Sequence, residues 1–186
     1  MRAELRLALL GAAILGTAAA GVAAAVPATT ASFEAGVTQA HGGAALVSLP
    51  GYGARGTDVL DYRHGAEVTL AVPVRNTGGY RVTVTEVALD GGRYELLSQV
   101  AATPSRFALA PGETRTVVLR AVLGNCRYYH EREVRSYDGV RVRFETVGGK
   151  GSRQVPLARP LVVHSPMIVG CPGRKLDREA VNRRDG

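Results

Sequence analysis

The chain has 186 residues, with 23 Lys and Arg against 16 Asp and Glu, a formal charge of +7. That length suits one domain with appendages, and the absence of Trp excludes a core built around indole rings, leaving Val, Leu, Ala and a few Phe and Tyr. The charge favours anionic surroundings, whether phospholipid, acidic wall polymer or nucleic acid, unless the Arg side chains form only a solvated surface.

Arg2 and Arg6 precede the uncharged run Leu7–Val26. Two readings of residues 1–28 stand. A cleaved signal peptide has a basic start, an apolar middle and a small-residue site, which Ala23-Ala24-Ala25 or Val26-Pro27-Ala28 supplies. An uncleaved membrane helix needs about 20 apolar residues, which this run just reaches. As an anchor it leaves the N-terminus inside, because the positive charges lie before it. Both readings put the rest of the chain outside the cytoplasm. Residues 29–57 read as a flexible linker, because Pro27–Gly43 is rich in Ala, Thr and Gly.

From residue 58 the pattern is one of short strands. Val59–Tyr62 opens it. In Glu67–Leu89 the residues Val68, Leu70, Val72 and Val74 share one face, opposite Glu67, Thr69 and Arg75. Pro73 cannot donate to a ladder, so this strand is expected at a sheet edge. Asn76-Thr77-Gly78-Gly79 supplies a turn. Val82 and Val84 resume the alternation, but Val87 and Leu89 are out of phase, which predicts a β-bulge near Thr85–Glu86. Arg93–Val100 is weakly patterned. Phe107 and Leu109 alternate before Pro111-Gly112. Val117, Leu119, Ala121 and Leu123 share a face of a strong strand over Thr114–Leu123. Asp138-Gly139 reads as a turn, after which Val140, Val142, Phe144 and Thr146 face in, with Arg141, Arg143 and Glu145 out. Gly148–Ser152 suits a hairpin loop, and the last strand is broken near Pro156–Pro160. The tail, 172–186, is charged and poor in apolar residues.

The chain holds two cysteines, Cys126 and Cys171. Far apart and without metal spacing, they suggest one disulfide in an oxidising compartment, the alternative being two unrelated buried thiols.

Catalytic motifs are sparse. His41, His64, His130 and His164 lie far apart and form no H-x-x-x-H or H-E-x-x-H pair, so no zinc site of recognised spacing is expected. No G-x-S-x-G occurs, and Gly148–Ser152 lacks the spacing and the following helix of a phosphate loop. Asp58 with Asp61, and Glu131 with Glu133, read as ordinary surface carboxylates. Tyr128-Tyr129-His130-Glu131 is the densest polar-aromatic cluster and reads as part of a loop or strand edge. No catalytic residue, metal ligand or cofactor is assigned. Seven Arg residues (127, 132, 135, 141, 143, 153 and 159) gather in one third of the chain. Of these, Arg127, Arg132, Arg135, Arg141 and Arg143 are the candidate contacts for an anionic partner.

Six to eight short strands separated by turns, with no amphipathic helix, suit an all-β antiparallel sandwich. The unit Val72–Val84, strand–Asn-Thr-Gly–strand, is followed by Leu109-Ala110-Pro111-Gly112-Glu113-Thr114. Together they resemble the immunoglobulin-like modules of bacterial exported proteins. The arrangement is similar to small actinobacterial proteins with an N-terminal apolar segment, one immunoglobulin-like domain, a Cys after the L-x-P-G-E strand and another near the end. The resemblance covers Val59–Cys171. It implies an immunoglobulin-like β-sandwich over 58–171 preceded by an N-terminal apolar helix, and it carries over no catalytic residue. This fold hosts unrelated activities.

The expectation is therefore a non-enzymatic, extracytoplasmic binding or scaffolding module at the bacterial cell envelope. It would be membrane-held through residues 1–28 or secreted if these are cleaved. Its partner would be an envelope protein or an anionic cell-surface polymer, not nucleic acid. Two alternatives are an envelope hydrolase or transferase with an unrecognised site, and a purely structural spacer.

Overall fold

The computed structural model describes residues 31–173, apart from 38, 43–44 and 92–93. The apolar run 7–26 and the tail beyond 173 lie outside the described residues. Eleven strands follow in order: β1 (Phe33–Ala35), β2 (Gln39–Gly42), β3 (Leu46–Leu49), β4 (Thr57–Leu60), β5 (Glu67–Asn76), β6 (Val82–Leu89), β7 (Leu97–Thr103), β8 (Phe107–Leu109), β9 (Thr114–Leu123), β10 (Val134–Thr146) and β11 (Gly149–His164). Single 3-10 turns occupy Cys126–Tyr128 and Ile168–Gly170. The all-β expectation holds.

The strands hydrogen-bond in the order β7-β9-β5-β1-β11-β10-β6-β8, with β2 also on β5, β4 on β11 and β3 on β4. Two antiparallel wings, one centred on β5 and β9 and the other on β10 and β11, are joined through β1 into one sheet curled as a half-barrel. The junction is parallel: Ala35 pairs with Leu157. β4 also runs parallel to β11, at Leu161–Val163.

The core follows the alternation. Val68, Leu70, Val72 and Val74 of β5, Val117, Leu119, Ala121 and Leu123 of β9, and Val140, Val142 and Phe144 of β10 are all buried in one cluster. Each large aliphatic buried this way contributes about 1.5–3 kcal/mol of transfer free energy, offset by the entropy of ordering the chain. The wings are also tied by polar bonds. The buried Tyr137 hydroxyl on β10 accepts a hydrogen bond from the Leu97 N–H of β7 at 2.8 Å. Across the open seam, the Gln99 side chain of β7 accepts from Leu89 N–H at 2.8 Å and donates to Val87 C=O at 3.0 Å. The Gln99 amide thus pairs with β6 as a neighbouring strand would.

The bulge expected in β6 is present. Arg143 pairs with Glu86 and Phe144 with Val84, leaving Thr85 as the extra residue. Its place restores Val87 and Leu89 to the buried face.

Three expectations are corrected. Pro73 does not mark an edge. β5 pairs with β9 along nearly its whole length, and on its other side with β2 at Val68–Ala71 and β1 at Val74–Asn76. Pro73 falls in the break between β2 and β1, where no ladder needs its missing N–H. Asp138-Gly139 does not turn the chain, because both residues lie inside β10. Tyr137 pairs with Leu161 and Gly139 with Pro156, so β11 carries the irregularity. A Cβ on Gly139 would stand 2.7 Å from the Val155 carbonyl oxygen, so glycine here serves close backbone approach. Finally, the stretch read as linker supplies β1, β2 and β3. These strands are short and are held largely by pairing, β1 and β2 with longer strands and β3 with the equally short β4, a cause that leaves little mark on hydrophobic pattern.

Candidate functional site

The five arginines proposed from sequence do not form one uncompensated patch. Burial alternates along β10, so Arg141 and Arg143 point away from the core as expected. Each meets a carboxylate of the β6 side: Arg141 with Asp90 at 3.1 Å and Arg143 with Glu86 at 2.9 Å. Exposed pairs of this kind are worth 0–1 kcal/mol and leave little charge to offer a partner. Arg127, in the turn after β9, lies over the Tyr128 ring at 4.7 Å and donates to its hydroxyl at 2.6 Å. Tyr128 in turn stacks on Tyr94, with ring centroids 4.1 Å apart. Arg132 adopts φ 54 and reaches the Met167 sulfur at 3.9 Å. Among the described residues, neither Arg127 nor Arg132 meets a carboxylate within ion-pair distance.

Arg135 is built in more deeply. Its Nε and Nη2 donate to the two carboxylate oxygens of Glu95 at 3.0 and 2.8 Å. The Glu95 side chain is only 8% exposed. These bonds hold the Arg135 proton more tightly than usual. Beside them, burial and then the Glu95 charge raise the Tyr129 phenol, and burial raises Tyr137 strongly. Glu95→Ala would strand the guanidinium next to the buried Tyr137 phenol and the half-buried Tyr129. Because Arg135 keeps 39% exposure, the expected cost is about 1–3 kcal/mol, below that of a fully buried pair. It should appear as a lower urea midpoint at unchanged slope; a midpoint within error of wild type would show that the pair is not structural.

The cysteine reading is met directly: Cys126 and Cys171 form a disulfide with Cα atoms 5.9 Å apart. Both are buried. The bond fastens the turn after β9 to the turn after β11, and His64 Nδ1 lies 3.7 Å from the Cys126 sulfur.

His130 and Glu131 are both exposed. Ser165 Oγ donates to the His130 carbonyl, and Glu133 accepts from the His130 N–H at 2.7 Å. Neither His130 nor Glu131 lines any of the three cavities described below. Among the described residues, no three His, Cys, Asp or Glu are grouped to hold a metal ion, and no helix is long and apolar enough to cross a membrane.

The largest of those cavities was not visible from sequence. It is a groove of about 630 Å³ over β1, between β5 and β11. Its surface is mostly apolar, from Ala35, Gly36, Val37, Pro73, Pro156 and Ala158. Arg55, Arg75 and Arg159 stand around it. Asp58, read from sequence as a surface residue, is buried at 1% exposure. It accepts from Ser48 Oγ at 2.6 Å and from Arg159 Nε at 3.0 Å. Arg55 Nη1 donates to the Leu157 carbonyl at 3.0 Å. Arg159 lies 101 residues from Asp58, and Leu157 lies 102 from Arg55, so no local spacing could have flagged these two pairs. Two smaller cavities are polar: one of about 320 Å³ beside Glu95 and Gln99, and one of about 160 Å³ between His64 and the disulfide.

Compared with models of protein families the chain finds no match, and compared with curated proteins it finds none either.

Proposed function

We propose that this chain is a non-enzymatic, immunoglobulin-like binding or scaffolding module working outside the cytoplasm, at a bacterial cell envelope. The observation that carries the reading is the buried Cys126–Cys171 disulfide, which belongs to oxidising compartments. The immunoglobulin-like part draws support from two antiparallel wings around one core, and from the interlock of the two motifs that first suggested it. In that interlock Asn76 N–H donates to the Glu113 carbonyl at 3.0 Å, and Gly112 N–H donates to the Asn76 carbonyl at 2.8 Å. The residues 1–28 would either hold the module at the membrane or be removed during export. Contacts with an envelope protein or an acidic surface polymer would draw on the arginines that no carboxylate answers among the described residues, Arg127 and Arg132 of the five first considered.

Intact-mass measurement on the native host tests this, with membrane, medium and cytoplasmic fractions handled without reductant. The expected species lies outside the cytoplasm and is lighter than the reduced chain by the two hydrogens lost in forming one disulfide. A full-length membrane species marks an anchor, and a species in the medium beginning after the apolar run marks a cleaved signal. A cytoplasmic chain with two free thiols would overturn the proposal.

A further inference from the structure

We infer that the groove over β1 binds a small apolar molecule carrying a single negative charge, an acyl carboxylate being the simplest member of the class. The inference rests on reading the chain as a binding module and names the chemistry of its ligand.

Size is the first argument. A cavity of about 630 Å³ lies within the roughly 300–1,000 Å³ of small-molecule sites. The lining comes next: Gly36, Pro73, Pro156 and Ala158 present no polar side chain, so the body of the ligand must be apolar. Their small size also keeps the groove open. A Cβ added at Gly36 would already stand 3.6 Å from the Ala158 Cβ.

The charge follows from the guanidiniums. Arg159 is fixed through Nε by the buried Asp58, itself held by Ser48, and Arg55 is fixed through Nη1 by a backbone carbonyl. Each spends one N–H of the five that a guanidinium carries. The rest are positioned donors whose ordering cost is already met by the fold, the arrangement that suits an oxyanion. Arg75 lies on the β5 side, 3.7 Å from Glu34. Three guanidiniums against the carboxylates of Glu34 and Asp58 leave one positive charge at the groove. One charge on the protein matches one on the ligand, and a dianion would exceed it.

The test is a titration of the full chain with octanoate, octan-1-ol and octyl phosphate, which share a chain and differ in charge. The readout is the amide resonances of Gly36 and Ala158, so uptake by the apolar run 7–26 does not register. Octanoate should move them saturably. Octan-1-ol should bind about tenfold more weakly or worse, the scale of a lost charge-assisted hydrogen bond. Arg55→Gln, which gives up only a bond to a backbone carbonyl, should weaken octanoate by a similar factor. Ala158→Trp, at an exposed position, should fill the groove and abolish the response with the thermal midpoint unchanged. Three results would each overturn the inference: no saturable shift, equal response to octanoate and octan-1-ol, or wild-type affinity in Arg55→Gln. Tighter binding of octyl phosphate than of octanoate would overturn the assignment of a single charge. Failure here leaves the fractionation result standing, and a reduced cytoplasmic chain leaves this titration standing, so the two failures are read apart.

Discussion

Replacing Cys126 and Cys171 together by Ser should destabilise the domain by about 4 kcal/mol, the chain-entropy cost of leaving open a loop of this length. The cysteines are 45 residues apart, and the loop they close contains all of β10 and β11. Those two strands carry the junction between the wings, through β1, and the pairing with β4. Without the bond, the turn after β11 has no covalent hold on the turn after β9, and two hydroxyls take the place of buried sulfur. The check is a pair of urea titrations, wild type with and without reductant, against the double variant. Reduced wild type and the double variant should agree with each other and fall well below the oxidised protein. A loss under about 1 kcal/mol would mean that the unfolded chain is already compact around this loop.

Asn76→Ala should cost about 2–4 kcal/mol, because it leaves several backbone groups without partners at once. Asn76 is fully buried at the end of β5. Its Nδ2 donates to the carbonyls of Tyr80 at 2.8 Å and Leu109 at 3.2 Å, and its Oδ1 accepts from Gly78 N–H at 3.0 Å. One side chain thus holds both sides of the turn between β5 and β6 and the end of β8. Asn76→Asp separates geometry from charge. It keeps the acceptor for Gly78 but sets a carboxylate oxygen against two carbonyl oxygens, so it should be at least as damaging as Ala. Urea midpoints give the energies, and faster exchange of the Gly78 amide would locate the damage. An Asp variant as stable as wild type would remove Asn76 from this role.

What the sequence disclosed and what it hid follow one physical line. β5, β9 and the second half of β10 were legible because one face of each is buried and the other wet, which imposes alternation. Even the bulge at Thr85 could be read, since it shows as a slip of phase. β1, β2 and β3 were not. Their hold on the fold is mostly backbone pairing, and the few side chains they add to the core, such as Phe33, Ala35 and Leu46, are too few to set up an alternating pattern. Pro73 misled for a related reason: a missing donor says that no ladder bond forms there, not that no strand lies alongside. The site was harder still. Arg141 and Arg143 were placed on the correct face, yet their neutralisation depends on Asp90 and Glu86, more than fifty residues away. Asp58 belongs with Arg159 for a reason that only parallel pairing of β4 with β11 creates.

That parallel pairing also bears on the order in which the chain can assemble. Both β1 and β4 find their partner in β11, which is synthesised about 120 residues after β1, and contacts of such separation form late and slowly. Until β11 emerges, β1 can pair only with β5, and the two wings are not joined. The wing of β5, β7 and β9 can pair within itself before that point, but the single curled sheet cannot close. Closure waits for the last strand, and because Cys171 follows β11 in the chain, the disulfide can only lock what β11 has already brought together.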